Sequence, residues 1–190
     1  MFKNLGNDMR SWVGIKSIKT ERLTLRPIKD SDLNHIFQGL SHSEVIKHYG
    51  ISFTTLQEAK QQIQWYDDLI KNETGYWWAI ELSESNEFIG SVGLNDIKKE
   101  HHRGEIGFWL LPEFWGNGYI TEAASNVINV GFETFNLHRI QAWVESGNNG
   151  SRQVLKKLGF IYEGILKDYE IKNDQYISVE IYSRLVDNSV

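Results

Sequence analysis

Residues 104–123 read GEIGFWLLPEFWGNGYITEA, and this stretch decides the fold. Apolar β-formers run from Gly104 to Leu111, Pro112 closes the run, and Gly116 and Gly118 bracket Asn117 ahead of a segment with helical spacing. The pattern predicts strand, tight turn and helix. A helix N-terminus exposes unpaired N–H groups and the positive end of the macrodipole, so glycines at such a turn let the backbone approach an anion. On spacing alone, a plain tight turn is the preferred reading. No G-x-x-x-x-G-K-[ST] occurs, which excludes a triphosphate-binding P-loop, and Thr121 stands where a dinucleotide fingerprint has its third glycine.

Downstream, Ala124, Val127, Ile128, Gly131, Phe132 and Phe135 share one helix face, with Ser125, Asn126, Asn129 and Glu133 opposite. HRIQAWVES (138–146) reads as a strand, NNGSRQVLKKL (148–158) as a short helix that Gly159 can end, and 160–172 and 175–186 as two antiparallel strands joined through KND. Upstream, RLTLRPI (22–28) alternates like a strand, and KDSDLNHIFQGL (29–40) offers Asp30 or Ser31 as an N-cap for Leu33, Ile36, Phe37 and Leu40. In TTLQEAKQQIQWYDDLIKN (54–72), Thr55 and Glu58 fit a capping box, and Leu56, Ala59, Ile63, Tyr66 and Ile70 form the apolar stripe. YWWAIEL (76–82) and EFIGSVGLNDI (87–97) read as a hairpin, in which Trp77 and Trp78 face opposite ways, one toward the core and one available to line a cleft. The order β-α-α-β-β-β-α-β-α-β-β predicts an α/β (α+β) fold: a mixed, mostly antiparallel central sheet flanked by helices, as a single domain over 1–190. Gly104 and Gly107, set in an apolar strand, hint at a bulge or a close backbone approach.

Composition narrows the function. At 190 residues and 41% hydrophobic content the chain can bury a real core. Cysteine is absent, which removes thiolate nucleophiles, disulfides and cysteine-held metals, and suits a reducing cytoplasm. No run of about eighteen apolar residues occurs, so neither a signal peptide nor a membrane partner is expected. A formal charge of -5 carries no broad basic footprint, so nucleic acid is not an expected partner. The six histidines show no metal-binding spacing, and no metal is expected.

Three separated pieces carry a family resemblance. GEIGFWLLPEFWGNGYITEA, VESGNNGSRQVLKKLGF (144–160) and TERLTLRPIKDSDL (20–33) together resemble the GCN5-related N-acetyltransferase (GNAT) family over about residues 18–186. The W-G-x-G-Y and N-x-x-S…L-G-F-x-x-E-G patterns are similar to its ribosomal-protein N-terminal acetyltransferase (RimJ/RimL-like) branch. The resemblance implies acetyl-CoA as co-substrate. Its pantetheine arm would pair with backbone of Phe108, Trp109 and Leu110, and its pyrophosphate would meet the turn formed by Trp115, Gly116, Asn117, Gly118, Tyr119, Ile120 and Thr121. Ile120 departs from the family pattern, which keeps a small residue there. Asn148, which is also a natural helix N-cap, would hydrogen-bond the pantetheine region, and Lys156, Lys157 or Arg152 could meet the 3′-phosphate or simply form a solvated face. Ser151 would protonate the departing thiolate, and Glu170, nineteen residues later, would take the amine's proton. Many members pair as homodimers, an expectation the resemblance extends to this chain.

Acetyl transfer by direct attack needs a neutral amine. An α-amine with a pKa of about 7.7–8.0 loses its proton near neutrality, whereas a lysine near 10.4 must surrender roughly 3–5 kcal/mol. A single glutamate therefore suits an α-amine, which points to a peptide or protein N-terminus such as that of a ribosomal protein. A small-molecule amine (polyamine or aminoglycoside-like) and a non-catalytic acyl-CoA sensor are the alternatives.

Overall fold

The computed structural model describes residues 15–186. An eight-stranded sheet runs in the order β1-β2-β3-β4-β5-β6-β8-β7. Its strands are β1 (Ile18–Lys19), β2 (Leu23–Pro27), β3 (Tyr76–Leu82), β4 (Phe88–Lys98), β5 (Arg103–Leu110), β6 (Arg139–Glu145), β7 (Ile161–Lys172) and β8 (Gln175–Leu185). Helices α1 (Leu33–Ser41), α2 (Ser43–Ile46) and α3 (Leu56–Lys71) fill the β2–β3 connection, α4 (Tyr119–Glu133) joins β5 to β6, and α5 (Asn149–Lys157) joins β6 to β7. The predicted mixed, mostly antiparallel architecture is therefore present. The short β1 and the single-turn α2 are additions that propensity did not signal. Among the described residues, no helix is long and apolar enough to cross a membrane.

Alternation along the strands builds two cores. Leu23, Leu25, Trp78, Ile106 and Ile140 bury on one face against Ala124, Val127, Ile128 and Leu155 of α4 and α5. On the other face, Trp77, Ala79 and Trp109 meet Ile36, Leu40, Ile63 and Tyr66 of α1 and α3. Trp77 and Trp78 do point opposite ways, but both are core, at 4% and 0% exposure, so neither lines a cleft.

Local chemistry explains the agreements and two departures. Thr55 and Glu58 close the expected capping box on α3. Its buried stripe runs through Ala59, Ile63, Tyr66 and Leu69; of the expected members, Ile70 is only half-buried and Leu56, in the first turn, is exposed. Neither Asp30 nor Ser31 caps α1. Instead a 3-10 turn spans Asp30–Asp32, and buried Asp32 accepts from the Lys29 amide (2.8 Å) and the Arg26 guanidinium (2.7 and 2.8 Å). Gly159, at φ 78°, ends α5 as expected, and Asn173 and Asp174, both at positive φ, turn the last hairpin.

Of the two expectations for Gly104 and Gly107, a bulge or a close approach, the bulge is not in β5. The register shift lies in β4, between Asn95 and Lys98, where Asp96 adopts φ 46°. Gly104 and Gly107 serve close packing instead: a Cβ on Gly107 would stand 2.7 Å from Cη2 of Trp77, and one on Gly104 would crowd Ile97 at 3.0 Å.

Candidate active site

β5 and β6 are parallel neighbours, yet they pair only from Arg103↔Arg139 to Glu105↔Gln141. Beyond that point β4 still pairs with β5 up to Leu110, and β8 still pairs with β6 up to Glu145. Each strand is thus held from outside while a wedge opens between them. Among the described residues, Ile106 to Leu110 have no strand partner on one flank, leaving backbone donors and acceptors to be satisfied by something else. Because the strands are parallel and each runs into a helix, the N-termini of α4 and α5 open beside the same wedge.

At the end of β5, the Trp115 indole N–H donates to the Leu110 carbonyl (2.9 Å), anchoring the turn to the strand. Gly116 and Gly118 both adopt left-handed conformations, φ 79° and 80°, which glycine takes at no steric cost. The first helical bond of α4 runs from the Glu122 amide to the Gly118 carbonyl (3.1 Å). The amides of Tyr119, Ile120 and Thr121 therefore lie in the unpaired first turn, where they can meet an anion. Ile120 turns toward the core beneath the sheet rather than into the turn. A β-branched residue is accommodated there without closing the amide row.

At the end of β6, Asn148 caps α5, its side-chain oxygen accepting from the Ser151 amide (3.1 Å). Ser151 lies half-buried in that first turn. Arg152 is committed within the chain: its guanidinium donates to Glu180 (2.9 Å) and to Asn149 Oδ1 (3.0 Å). Lys156 and Lys157 are exposed on the helix face.

Across the sheet from α4 and α5, the wedge carries a different chemistry. Glu105, the last β5 residue paired with β6, sits on the same face as Gly107 and Trp77. Burial first, then the charges of Asp96 and more weakly Glu170, push its carboxyl up to about 7 against the pull of Asn95 and Arg103. Glu170 is exposed on β7, directed there by an irregularity between Leu166 and Glu170 in which Asp168 takes φ 49°. The same irregularity sets Tyr169 against Trp143 of β6, ring centroids 5.4 Å apart. Tyr49 closes this side, its hydroxyl raised well above the usual range by burial, Tyr66 and Glu105. Beyond it, Lys172 ties the end of α2 to the sheet, donating to the Lys47 carbonyl (2.6 Å) and Glu145 (2.8 Å), and His48 meets Glu145 at 3.1 Å.

The structure thus brings Ser151, Asn148, the glycine turn and the free flank of Phe108, Trp109 and Leu110 around one wedge. Trp109 contributes only backbone, since its ring is buried against Gly39. Glu105 was missed in the sequence, although a lone charge in GEIGFWLL was a signal: a carboxylate in an apolar strand invites the question of what desolvates it. Among the described residues, no group of three or more histidines and acids is placed to hold a metal ion.

Two parallel strands splayed over a free backbone flank, each running at the same end into a helix N-terminus and one of them through a glycine turn, form a cleft suited to a long amide-bearing acyl carrier. Residues 22–161 match the acetyltransferase (GNAT) domain model, and the chain belongs to that family. It is 36% identical to the uncharacterized N-acetyltransferase YoaA of Bacillus subtilis, over 87% of this chain and 94% of that protein. It is 29% identical to the spermidine N(1)-acetyltransferase of Escherichia coli, over 80% of each. Among solved structures, the ribosomal-protein-S5-alanine acetyltransferase of Vibrio fischeri is 26% identical, covers 90% of this chain and 97% of its own, and superposes with a TM-score of 0.80. The chain is an N-acetyltransferase with acetyl-CoA as co-substrate.

Proposed function

We propose that this enzyme acetylates the N-terminal α-amine of a protein, such as a ribosomal protein, by direct attack on acetyl-CoA. The observation that carries the reading is the wedge with different chemistry at its two faces: helix N-termini and a glycine turn on one, a desolvated carboxylate among aromatic rings on the other. The pyrophosphate would rest on the amides from Gly116 to Thr121, and the pantetheine amides would pair along Phe108 to Leu110, near Asn148. This arrangement aims the thioester into the wedge from one face while the amine arrives from the other.

Glu105 takes the ammonium proton, with Glu170 as the outer carboxylate that receives it in turn. The free amine nitrogen then attacks the thioester carbon, the C=O electrons move onto oxygen, and their return expels the thiolate. Ser151 Oγ–H supplies the thiolate's proton, and the nitrogen's second proton, lost as the neutral amide forms, is relayed through water to restore the serine's. A base near 7 is matched to an α-amine of about 7.7–8.0, leaving a gap of about 1 unit. For a primary alkylamine near 10.4 the gap is over 3 units, roughly 4–5 kcal/mol.

A polyamine acceptor is the second reading. It is favoured by the proximity of Glu105, Asp96 and Glu170, and by the likeness to a spermidine acetyltransferase. An acceptor panel separates the two: peptides with free and with blocked N-termini, a peptide whose only amine is a lysine side chain, and spermidine. The α-amine reading expects the free N-terminus to be preferred by at least about tenfold in kcat/KM. Turnover confined to spermidine would replace it.

A further inference from the structure

Arg22 stands just ahead of β2, nearly a hundred residues from the glycine turn in sequence, yet it holds that turn directly. Its Nη1 donates to the Asn117 carbonyl (3.0 Å). Nε and Nη2 both reach Glu122 Oε2 (2.7 Å each), and the guanidinium lies over the Tyr119 ring, 4.6 Å from its centroid. Glu122 also accepts from the Arg22 amide (2.9 Å) and the Thr20 hydroxyl (2.5 Å), so one carboxylate fixes the guanidinium in place. Burial would push the Glu122 carboxyl up, but these donors hold it below its ordinary range, and it stays charged.

The peptide between Asn117 and Gly118 is the hinge of the turn. A trans peptide points its C=O and N–H in opposite directions, so fixing the carbonyl fixes the amide. With glycine at both 116 and 118, little in the side chains opposes a flip that would turn the Asn117 oxygen toward a bound anion. We infer that Arg22 is a positioning residue: by gripping the Asn117 carbonyl it keeps the Gly118 N–H and the first turn of α4 aimed at the pyrophosphate of acetyl-CoA. This rests on the reading that the glycine turn takes that pyrophosphate. Arg22 need not touch the cofactor, because Glu122 already balances its charge.

The test compares acetyl-CoA with S-acetylpantetheine, which ends before the pyrophosphate, by titration calorimetry with displacement for the weaker ligand. Arg22→Ala is expected to weaken acetyl-CoA by about 10- to 100-fold, the range for losing a hydrogen bond to a charged group, and to leave S-acetylpantetheine within about twofold. Arg22→Lys, which keeps charge but not the three-point grip, should fall between Arg22→Ala and wild type. Thr20→Val removes one Glu122 partner and the hydroxyl's bonds to Leu23 while keeping the Arg22–Asn117 bond, and should cost acetyl-CoA affinity far less than Arg22→Ala. Equal losses for both ligands in Arg22→Ala, or a loss in Thr20→Val as large as in Arg22→Ala, would mean a general structural role and overturn the inference. So would full acetyl-CoA affinity in Arg22→Ala. If the wild type itself bound the two ligands equally, the reading of the turn as a pyrophosphate site would fall instead.

Discussion

The two flanks of β5 are built on opposite principles. Toward β4 the strand is closed: antiparallel pairs continue to Leu110, and the Trp77 indole lies across Gly93 and Gly107, which face each other in register. Toward β6 it is paired for three residues and then free. An unpaired strand edge normally invites a neighbour. Here β6 cannot close the gap, because β8 holds it along Arg139–Glu145. The contrast teaches that rigidity on one side lets the other remain open for a ligand, and it assigns two jobs to glycine: making room for a ring in the closed flank, and adopting left-handed backbone at the open end.

The closed flank should break most severely. A Cβ on Gly93 would sit 2.2 Å from Cγ of Trp77, at the root of the indole where the ring cannot swing away. Gly93→Ala is expected to cost about 3 kcal/mol or more, the upper range for overpacking, measured as a lowered urea midpoint. A loss under about 1 kcal/mol would mean that Trp77 shifts easily and that the flank is not the rigid support argued above.

Glu105, at the border of the two flanks, should give a smaller and pH-dependent effect. Its carboxyl is raised from the ordinary glutamate value of about 4.5 to about 7, so the folded chain holds this proton more tightly than the unfolded one. That contribution is fully present below about pH 4.5, and stability declines as pH rises toward 7, after which the loss is constant. The groups facing it are Asp96 and Asn95 of β4, Arg103 of β5, Glu170 of β7 and Tyr49. Glu105→Gln, which resembles the protonated form, should stabilise the protein by about 2 kcal/mol at pH 8, after discounting for partial exposure, and by almost nothing at pH 4. If Glu105 is the base, the same variant loses the limb of the kcat/KM profile that rises through about pH 7. A gain in stability with an unchanged profile would leave Glu105 structural and return the proton to Glu170.

Much of this contrast was legible in the sequence. The strand, glycine turn and helix of residues 104–123 followed from periodicity and turn chemistry, as did the capping box of Thr55 and the left-handed stop at Gly159. What stayed hidden was set by long-range partners. The glycines of β5 could be read as a bulge or as a close approach, because nothing local showed that Trp77, two strands away, needs the space at Gly107. Glu105 was passed over because its significance depends first on burial and then on the charges of Asp96 and Glu170, all set only by the fold. Arg22 looked like the polar half of an alternating strand, when its partners are Asn117 and Glu122.

The smallest effect on stability, and the one that best separates the two kinds of glycine, is expected at the open end. Gly118 is left-handed at φ 80°, and the nearest atom to a Cβ there would be Arg22 Nη2 at 3.5 Å, an ordinary contact. Gly118→Ala therefore meets no ring and no backbone. It carries only the cost of a side chain in left-handed backbone, about 1 kcal/mol. The folded chain can shed that cost by rotating the peptides on either side of residue 118, which misdirects the amides of the first α4 turn. Stability should then fall by less than in Gly93→Ala, while acetyl-CoA affinity falls by about tenfold, equivalent to about 1.4 kcal/mol. Gly93→Ala should show the reverse, with its folded fraction binding nearly as tightly as the wild type. A Gly118→Ala protein that loses stability but keeps its affinity would show that the open end is an ordinary tight turn, and the difference between the flanks would then be one of packing alone.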